Sequence, residues 1–466
     1  LSQLKTIQDV DLPIWLPRLA VHGGPRFLQI ADALQAAVAD GALKPGDRLP
    51  PQRHLAAQLD VDLTTVTRAY DEARRRHLLE GRGARGTYVA APKVELTAIL
   101  DLSMNTPPAP DGVDFDDLLK QGLSQVLMRA DTALLMTYHL AGGSDAERQA
   151  GAKWLEPMFA CLDSRQLVVC PGAQAAIAAL ILALTEPGDV ILAEPSSYPG
   201  LRAAATQFGR RIVAVEADQH GMVPGMLEAA CRQHKPGMIY LNPTLQNPTA
   251  LTMPEHRRKA LASIARRCKV RIVEDDPYWL LADAPPAPVA TFAPELVYYI
   301  STLSKCLTPG LRVAFVLIRD PQERERFLAA LRSFALMVAP LTAALATQWI
   351  LSGSAGELME GVRKEARLRQ RMARDILAGR CSGPGDGLHV WLELPAYWTP
   401  TQLARAADSE GIAVTPAEAF ATGSGSVNAI RISLGNIKDR ARLRAGLQRL
   451  SQLLARRPES FGAAVV

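Results

Sequence analysis

The segment STLSKCLTPGLRVAF (301–315) sets Lys305 among small hydroxyl residues and follows it with Pro-Gly and Arg312. A lysine that reacts as an amine must shed its proton readily. A desolvated setting near another cation lowers its pKa enough for it to form a Schiff base with a carbonyl compound. The hydroxyls of Thr302 and Ser304, with the guanidinium of Arg312, suit a dianionic phosphate ester. Standing alone, the same pattern describes a surface lysine in a loop, the usual fate of that residue.

Four further segments carry compatible chemistry. VRIVEDDPYWL (270–280) ends an apolar strand in acids, where open α/β sheets place their ligands. Asp275 there is able to pair with a protonated ring nitrogen, and Tyr278 to reach a phenolic oxygen on the same ring. Paired acids at a strand end also cap helices, a role open to Asp276. In LNPTLQNPTA (241–250), Asn247 is held by Pro248 and offers a donor to the same oxygen, or forms an ordinary Asn-Pro turn. CPGAQAAIAAL (170–180) runs from a strand through Gly172 into a helix, so Gly172, Ala173 and Gln174 offer donors at a positive dipole end. EPSSYPG (194–200) supplies Tyr198 as a face to lie on a ring, or as a packing tyrosine.

Positioning these residues requires a sheet. From residue 113 onward, helical stretches alternate with the β-rich runs QLVVC (166–170), DVILA (189–193), RIVAV (211–215), MIYLN (238–242) and VRIVE (270–274). That alternation predicts an α/β domain with a largely parallel sheet over 113–466. LHVWLELP (388–395) and AIRISLG (429–435) alternate more strictly, as half-buried strands of a smaller α+β lobe should. Residues 92–112 are Pro-rich and read as a linker.

Residues 1–91 have a different pattern. Leu28, Ile30, Ala31, Leu34 and Val38 fall at helical spacing, GALKPGDRLPP breaks the helix, and Pro51 opens a second one, QRHLAAQLD. A third follows through VTRAYDEARRRHLL, capped by Asp62 or Thr64. LLEGRGARGTYVA then reads as a two-stranded wing with Arg82 and Arg85 at its tip. This is the helix-turn-helix pattern, whose second member enters the major groove. Residues 64–91 hold six arginines against three acids, a local net charge of +3. Arg53, Thr64, Thr65, Thr67 and Arg68 join Arg82 and Arg85 as candidate DNA contacts. Arg74, Arg75 and Arg76 also fit the solvated face of a helix.

The matching segments GALKPGDRLPPQRHLA, TVTRAYDEA and GRGARGTYV resemble the winged-helix domain of GntR-family transcription regulators. VDLTTVTRAY departs from that family, which more often has a small polar residue and Arg ahead of the Thr-Val pair. The ordered set from Gly172 to Arg312 resembles the fold-type I aminotransferases of the pyridoxal-phosphate superfamily, across roughly residues 100–455. That resemblance implies Lys305 as the Schiff-base lysine, Asp275 on the pyridine nitrogen, Asn247 and Tyr278 on the ring oxygen, and Tyr198 stacked on the ring. It implies phosphate contacts from Gly172, Ala173, Gln174, Thr302, Ser304 and Arg312. Tyr138, in LLMTYHLAGG, matches a tyrosine lent across a dimer interface, and Arg431 matches the arginine that grips a ligand carboxylate. Two departures stand out. Ala173 replaces a small hydroxyl residue, and Ala250 replaces the glycine that closes the Asn-Pro-Thr-Gly turn. Together the two domains resemble the MocR-type regulators. The layout implies a pyridoxal-phosphate-binding transcription regulator, a homodimer that binds operator DNA and senses an amine, amino acid or vitamer. An active aminotransferase with an appended winged helix is the alternative, and residual transaminase activity fits either.

Bulk properties set outer bounds. At 466 residues the chain exceeds one compact core, and 48% hydrophobic with 21% charged residues is ordinary for folded protein. A net charge of +5 neither demands nor excludes nucleic acid. Six scattered cysteines without a CxxC pair suit a reducing cytoplasm and offer no metal module. The longest apolar run, Ala173 to Leu184, is far short of the ~20 residues of a membrane span.

Overall fold

The computed structural model divides into two units, Leu1–Ala98 and Ile99–Val466. It describes residues 15–20, 24–76, 78–81, 86–90, 99–129, 131–377, 379–423, 425 and 427–457.

In the first unit, helices Arg26–Ala39, Gln52–Gln58 and Leu63–Arg75 precede an antiparallel pair, Leu79–Gly81 with Thr87–Val89. The helical periodicity read from the sequence places Ile30 and Leu34 one turn apart, and both are buried with Leu55, Val66, Ala69, Tyr70 and Ala73. Leu79 and Val89, directly opposite in the wing, close the same core. Tyr70 also donates its hydroxyl to the Pro50 carbonyl at 2.8 Å. Asp62 is the N-cap residue of the third helix, though its carboxylate makes no cap hydrogen bond, and Thr64 lies inside that helix.

The second unit is built on a seven-stranded sheet. Its order is Leu167–Cys170, Ala314–Leu317, Val297–Thr302, Arg271–Asp275, Met238–Leu241, Val190–Ala193 and Arg211–Ala214. Ala314–Leu317 runs antiparallel to both neighbours and the other pairs are parallel. Successive residues face opposite sides. Val169, Leu192, Ile239, Ile272 and Tyr299 enter one apolar layer, while Val168, Ile191, Met238, Val273 and Ile300 enter the other. Burial on both faces is why the other six strands are continuous apolar runs, while the edge strand Arg211–Ala214 is exposed at both ends.

The smaller lobe pairs His389–Glu393 with Ala429–Ser433 and the latter with Thr415–Pro416, all antiparallel. Its core takes Ala373, Leu377, Leu443, Leu447 and Leu450 from flanking helices Ser354–Leu377 and Arg440–Ala455. Residues 99–112, read from the sequence as linker, fold with this unit. Leu100–Asp101 pairs in parallel with Ile412–Ala413, and Leu100 and Leu102 are buried in the lobe's core. Prolines at 107, 108 and 110 made the segment look like a connector, whereas its first residues are edge strand. Among the described residues no helix is long and apolar enough to cross a membrane, and no cluster of metal-ligating side chains occurs.

Candidate functional site

Lys305 lies on the short helix Leu303–Cys306, directly after the Val297–Thr302 strand. Thr302 caps that helix, its hydroxyl accepting from the Ser304 N–H at 3.3 Å and donating to Ser304 Oγ at 3.2 Å. The lysine Nζ donates to the Asn105 carbonyl at 2.5 Å. Burial, with help from Arg431 and Arg312 and against the pull of Asp275, holds its pKa down to about 8.

Asp275 ends the neighbouring strand of the sheet, where it pairs in register with Ile300. Tyr240 donates to its Oδ2 at 2.6 Å, and its Oδ1 is buried without a hydrogen-bond partner among the described residues. Burial pushes this carboxyl up to about 6, opposed by Tyr240 and by the positive charge of Lys305. Asp276 does not cap a helix. It is buried and accepts from Thr244 at 3.0 Å.

Gly172 is the N-cap residue of helix Ala173–Leu184, at a φ of +88°. A Cβ there would sit 2.7 Å from Arg312 Nη2, so only glycine lets the guanidinium approach the helix N-terminus. Gln174 donates to the Gly200 carbonyl at 3.0 Å, and its Oε1 is buried and unpartnered. The Tyr198 ring folds back over Gly200, where an added Cβ would meet Tyr198 Cε1 at 2.4 Å. Helix N–H groups, the Arg312 guanidinium and the Ser304 hydroxyl are donors of the kind a phosphate takes, while the Thr302 hydroxyl is committed to Ser304.

Arg431 is buried on the Ala429–Ser433 strand with its guanidinium 4.8 Å from the Phe420 ring centroid. One nitrogen donates to Asn247 Oδ1 at 2.8 Å, a second to the Ser103 carbonyl, and its Nε is buried and unpartnered. The Asn247 N–H donates to Asn242 Oδ1 at 2.7 Å, and Asn242 in turn donates to the Asp275 carbonyl. Tyr278 is buried, and its hydroxyl accepts from Asn105 Nδ2 at 2.9 Å. One hydrogen-bonded cluster therefore joins Lys305 to Tyr278, and another joins Asp275 to Asn247 and Arg431. Tyr138 stands apart from both, 72% exposed and beside the equally bare Met136.

Sequence reasoning missed Asn105, Tyr240, His389 and Phe420. Asn105 sat in a stretch taken for linker, and Tyr240 looked like a packing residue in an apolar strand. His389 occupies a fully buried position in an alternating strand, and a buried imidazole there was the available signal.

In the first unit Arg53, Thr64 and Arg68 are exposed and Thr65 half-buried. Arg68 lies over the Phe27 ring at 4.5 Å. Thr67 is half-buried and tied to Gln52 and to the Leu63 carbonyl, at 2.9 and 3.0 Å. Arg74, Arg75 and Arg76 pair with Asp71, Glu72 and Asp32, which fits the solvated-face reading. Arg82 and Arg85 lie outside the described residues.

Residues 27–89 match the family described as "Bacterial regulatory proteins, gntR family", and residues 97–450 match "Aminotransferase class I and II". The uncharacterized HTH-type transcriptional regulator YdeF of Bacillus subtilis is 31% identical over 94% of this chain and 96% of its own. The vitamin B6 salvage pathway transcriptional repressor PtsJ of Salmonella typhimurium is 28% identical over 88% and 94%. Among solved structures, the α-aminoadipate aminotransferase LysN of Thermus thermophilus, complexed with N-(5'-phosphopyridoxyl)-L-leucine, is similar at a TM-score of 0.70. It is 26% identical, with 77% of this chain and 92% of that one covered.

Proposed function

The chain belongs to the MocR-type subgroup of the GntR transcription regulators, a winged helix-turn-helix joined to a fold-type I aminotransferase-like domain, and we propose that it binds pyridoxal phosphate at Lys305 and couples an amine ligand to DNA binding. The observation that carries this reading is the pairing of a buried, easily deprotonated Lys305 with a buried Asp275 that keeps one carboxylate oxygen unused.

The residues present fit the group. Asp275 Oδ1 is an orphaned acceptor suited to a protonated ring nitrogen, and an added Cβ at Gly172 would fill the space that Arg312 borders. Gly172, Ala173 and Gln174 with Thr302, Ser304 and Arg312 would hold the phosphate. Tyr198 would lie on the ring, and Asn247 and Tyr278 would face its phenolic oxygen. When bound, the cofactor supplies an aldehyde that bonds to primary amines and a ring that draws electrons. The protein's part is to exclude water, keep Lys305 poised to lose its proton, and present Arg431 to a carboxylate.

The ligand in this reading is an amine, an amino acid or a B6 vitamer, and the PtsJ likeness supports the last. It changes DNA affinity only by binding one arrangement of the DNA-binding heads better than another. Two heads call for a homodimer, and the exposed Met136 and Tyr138 support a covered face there, with Tyr138 lent to the partner's site. Operator DNA would be met by Arg53, Thr64, Thr65, Thr67 and Arg68, with Arg82 and Arg85 at the wing, in the cytoplasm. The alternative, a working aminotransferase, is supported by the likeness to LysN and by Lys305, Asp275 and Arg431 occurring together.

Gel retardation of the DNA upstream of the protein's own gene, with and without pyridoxal phosphate and amines, tests the regulator reading. Arg82→Ala with Arg85→Ala should weaken binding and lower the salt slope by about 2 per DNA-binding head, about 4 for the homodimer, one unit per lost phosphate contact. Steady amino-group transfer between an amino acid and a keto acid, without DNA retardation, would establish the enzyme instead.

A further inference from the structure

Asn105 stands on a strap, residues 99–106, that is fastened to the smaller lobe on both strand edges. The N–H groups of Leu100 and Leu102 donate to the Gly411 and Ala413 carbonyls, each at 2.8 Å. Asp101 Oδ1 accepts from the Ser103 N–H and hydroxyl at 2.9 and 2.6 Å, making a tight turn. The Ser103 carbonyl accepts three side-chain bonds, from Arg431, Thr415 and Ser433. A segment held this way has little freedom at its next-but-one residue, and Asn105 is 95% buried, its relative exposure being 5%.

The orientation of its amide follows from its neighbours. His389 lies 3.2 Å from Asn105 Nδ2 through Nδ1, and 3.3 Å from the Gln246 carbonyl through Nε2. Burial, with Arg431 and Lys305 nearby, holds this imidazole's pKa down to about 3, so it is neutral and has one donor and one acceptor. A carbonyl only accepts, so Nε2 carries the hydrogen and Nδ1 is the acceptor. Asn105 must therefore present its NH2 group to His389, which leaves Oδ1 as the buried, unpartnered atom. The second N–H of that group donates to the Tyr278 oxygen at 2.9 Å.

Tyr278 thus receives a hydrogen bond, and its own proton has no acceptor among the described residues. The charged groups around the pair are Lys305, Asp275, Arg312 and Arg431, with Tyr198 also facing Tyr278. We propose that Asn105 is a positioning residue, which keeps the Tyr278 hydroxyl turned as a donor toward an anionic oxygen beside Lys305 while its own carbonyl steadies the Lys305 amine. The anionic oxygen is the phenolic oxygen of pyridoxal phosphate, so the inference rests on the cofactor reading above.

The test uses the full-length protein loaded with pyridoxal phosphate and follows its visible absorbance against pH. A donor aimed at the phenolic oxygen favours the unprotonated form of the Lys305 adduct and keeps the titration midpoint low. Asn105→Asp turns the donor into an acceptor that claims the Tyr278 proton, and should raise the midpoint by about one pH unit. Asn105→Ala, free of any new charge, should raise it by less, and reports the same effect should the Asp variant fold poorly. In a Tyr278→Phe background Asn105→Ala should move the midpoint no further, and Asn105→Asp only by the smaller amount that its charge adds. An unmoved midpoint in a coloured Asn105→Ala protein, or an undiminished shift without the Tyr278 hydroxyl, overturns the positioning role alone. A colourless wild type overturns the cofactor reading along with it.

Discussion

Tyr240 donates its hydroxyl to one carboxylate oxygen of Asp275 at 2.6 Å and leaves the other oxygen buried without a partner among the described residues. An acceptor in that state is costly unless something completes it. Asp275→Asn keeps the shape and an acceptor for Tyr240 but removes the charge. Pyridoxal phosphate should then bind at least about tenfold more weakly in an equilibrium titration. Wild-type affinity in the variant would mean that Asp275 does not face the ring nitrogen.

Lys305, held down to about 8, is half neutral near pH 8, whereas an exposed lysine would be well under ~1% neutral there. The rate at which cofactor-free protein captures pyridoxal phosphate should climb about tenfold per pH unit below 8 and flatten above it. The sign for stability follows. Between about 8 and 10.5 the unfolded chain still binds the proton that the folded lysine has lost, so this group favours the fold more as pH rises through that window. A capture rate still rising tenfold per unit at pH 10 would contradict a depressed pKa.

Arg431 divides its guanidinium between Asn247 and the Ser103 carbonyl, with Nε left over. An ammonium cannot reproduce that fork. Arg431→Lys should weaken binding of α-amino acids about thirtyfold while amines without a carboxylate bind within a few-fold of wild type. Spectral titration with an amino acid and its decarboxylated amine distinguishes the two. Equal losses for both would remove Arg431 from carboxylate recognition.

Ala250 occupies the left-handed region at a φ of +59°, in the turn that the sequence resemblance would close with glycine. A Cβ in that conformation costs about 1–2 kcal/mol, partly offset because glycine gains entropy in the unfolded chain. Ala250→Gly should raise the unfolding free energy by about 0.5–1 kcal/mol, measured by denaturant titration. A loss of stability would show that the alanine methyl packs better than its backbone strain costs.

Much of this site was legible because its chemistry sits at strand ends. Lys305, Asp275, Asn247 and Gly172 each follow an apolar run, and an apolar run followed by a polar or glycine break marks where a parallel strand meets its ligand edge. The antiparallel insertion of Ala314–Leu317 was not legible, since pairing order is set by distant partners and not by local pattern. Asn105 was hidden for a related reason. Prolines follow it at 107, 108 and 110, and its role arises from contacts with Tyr278 and His389, 173 and 284 residues away. At the DNA-binding end the arginine run looked more available than it is, because Arg74, Arg75 and Arg76 are paired with acids of their own unit.

Reductive trapping is the most direct test of the central claim. Protein incubated with pyridoxal phosphate, treated with borohydride and digested should yield one modified peptide, carrying the phosphopyridoxyl group on Lys305, and Lys305→Ala should abolish it. Modification spread over surface lysines with none at 305, in protein supplied with ample cofactor, would contradict the account.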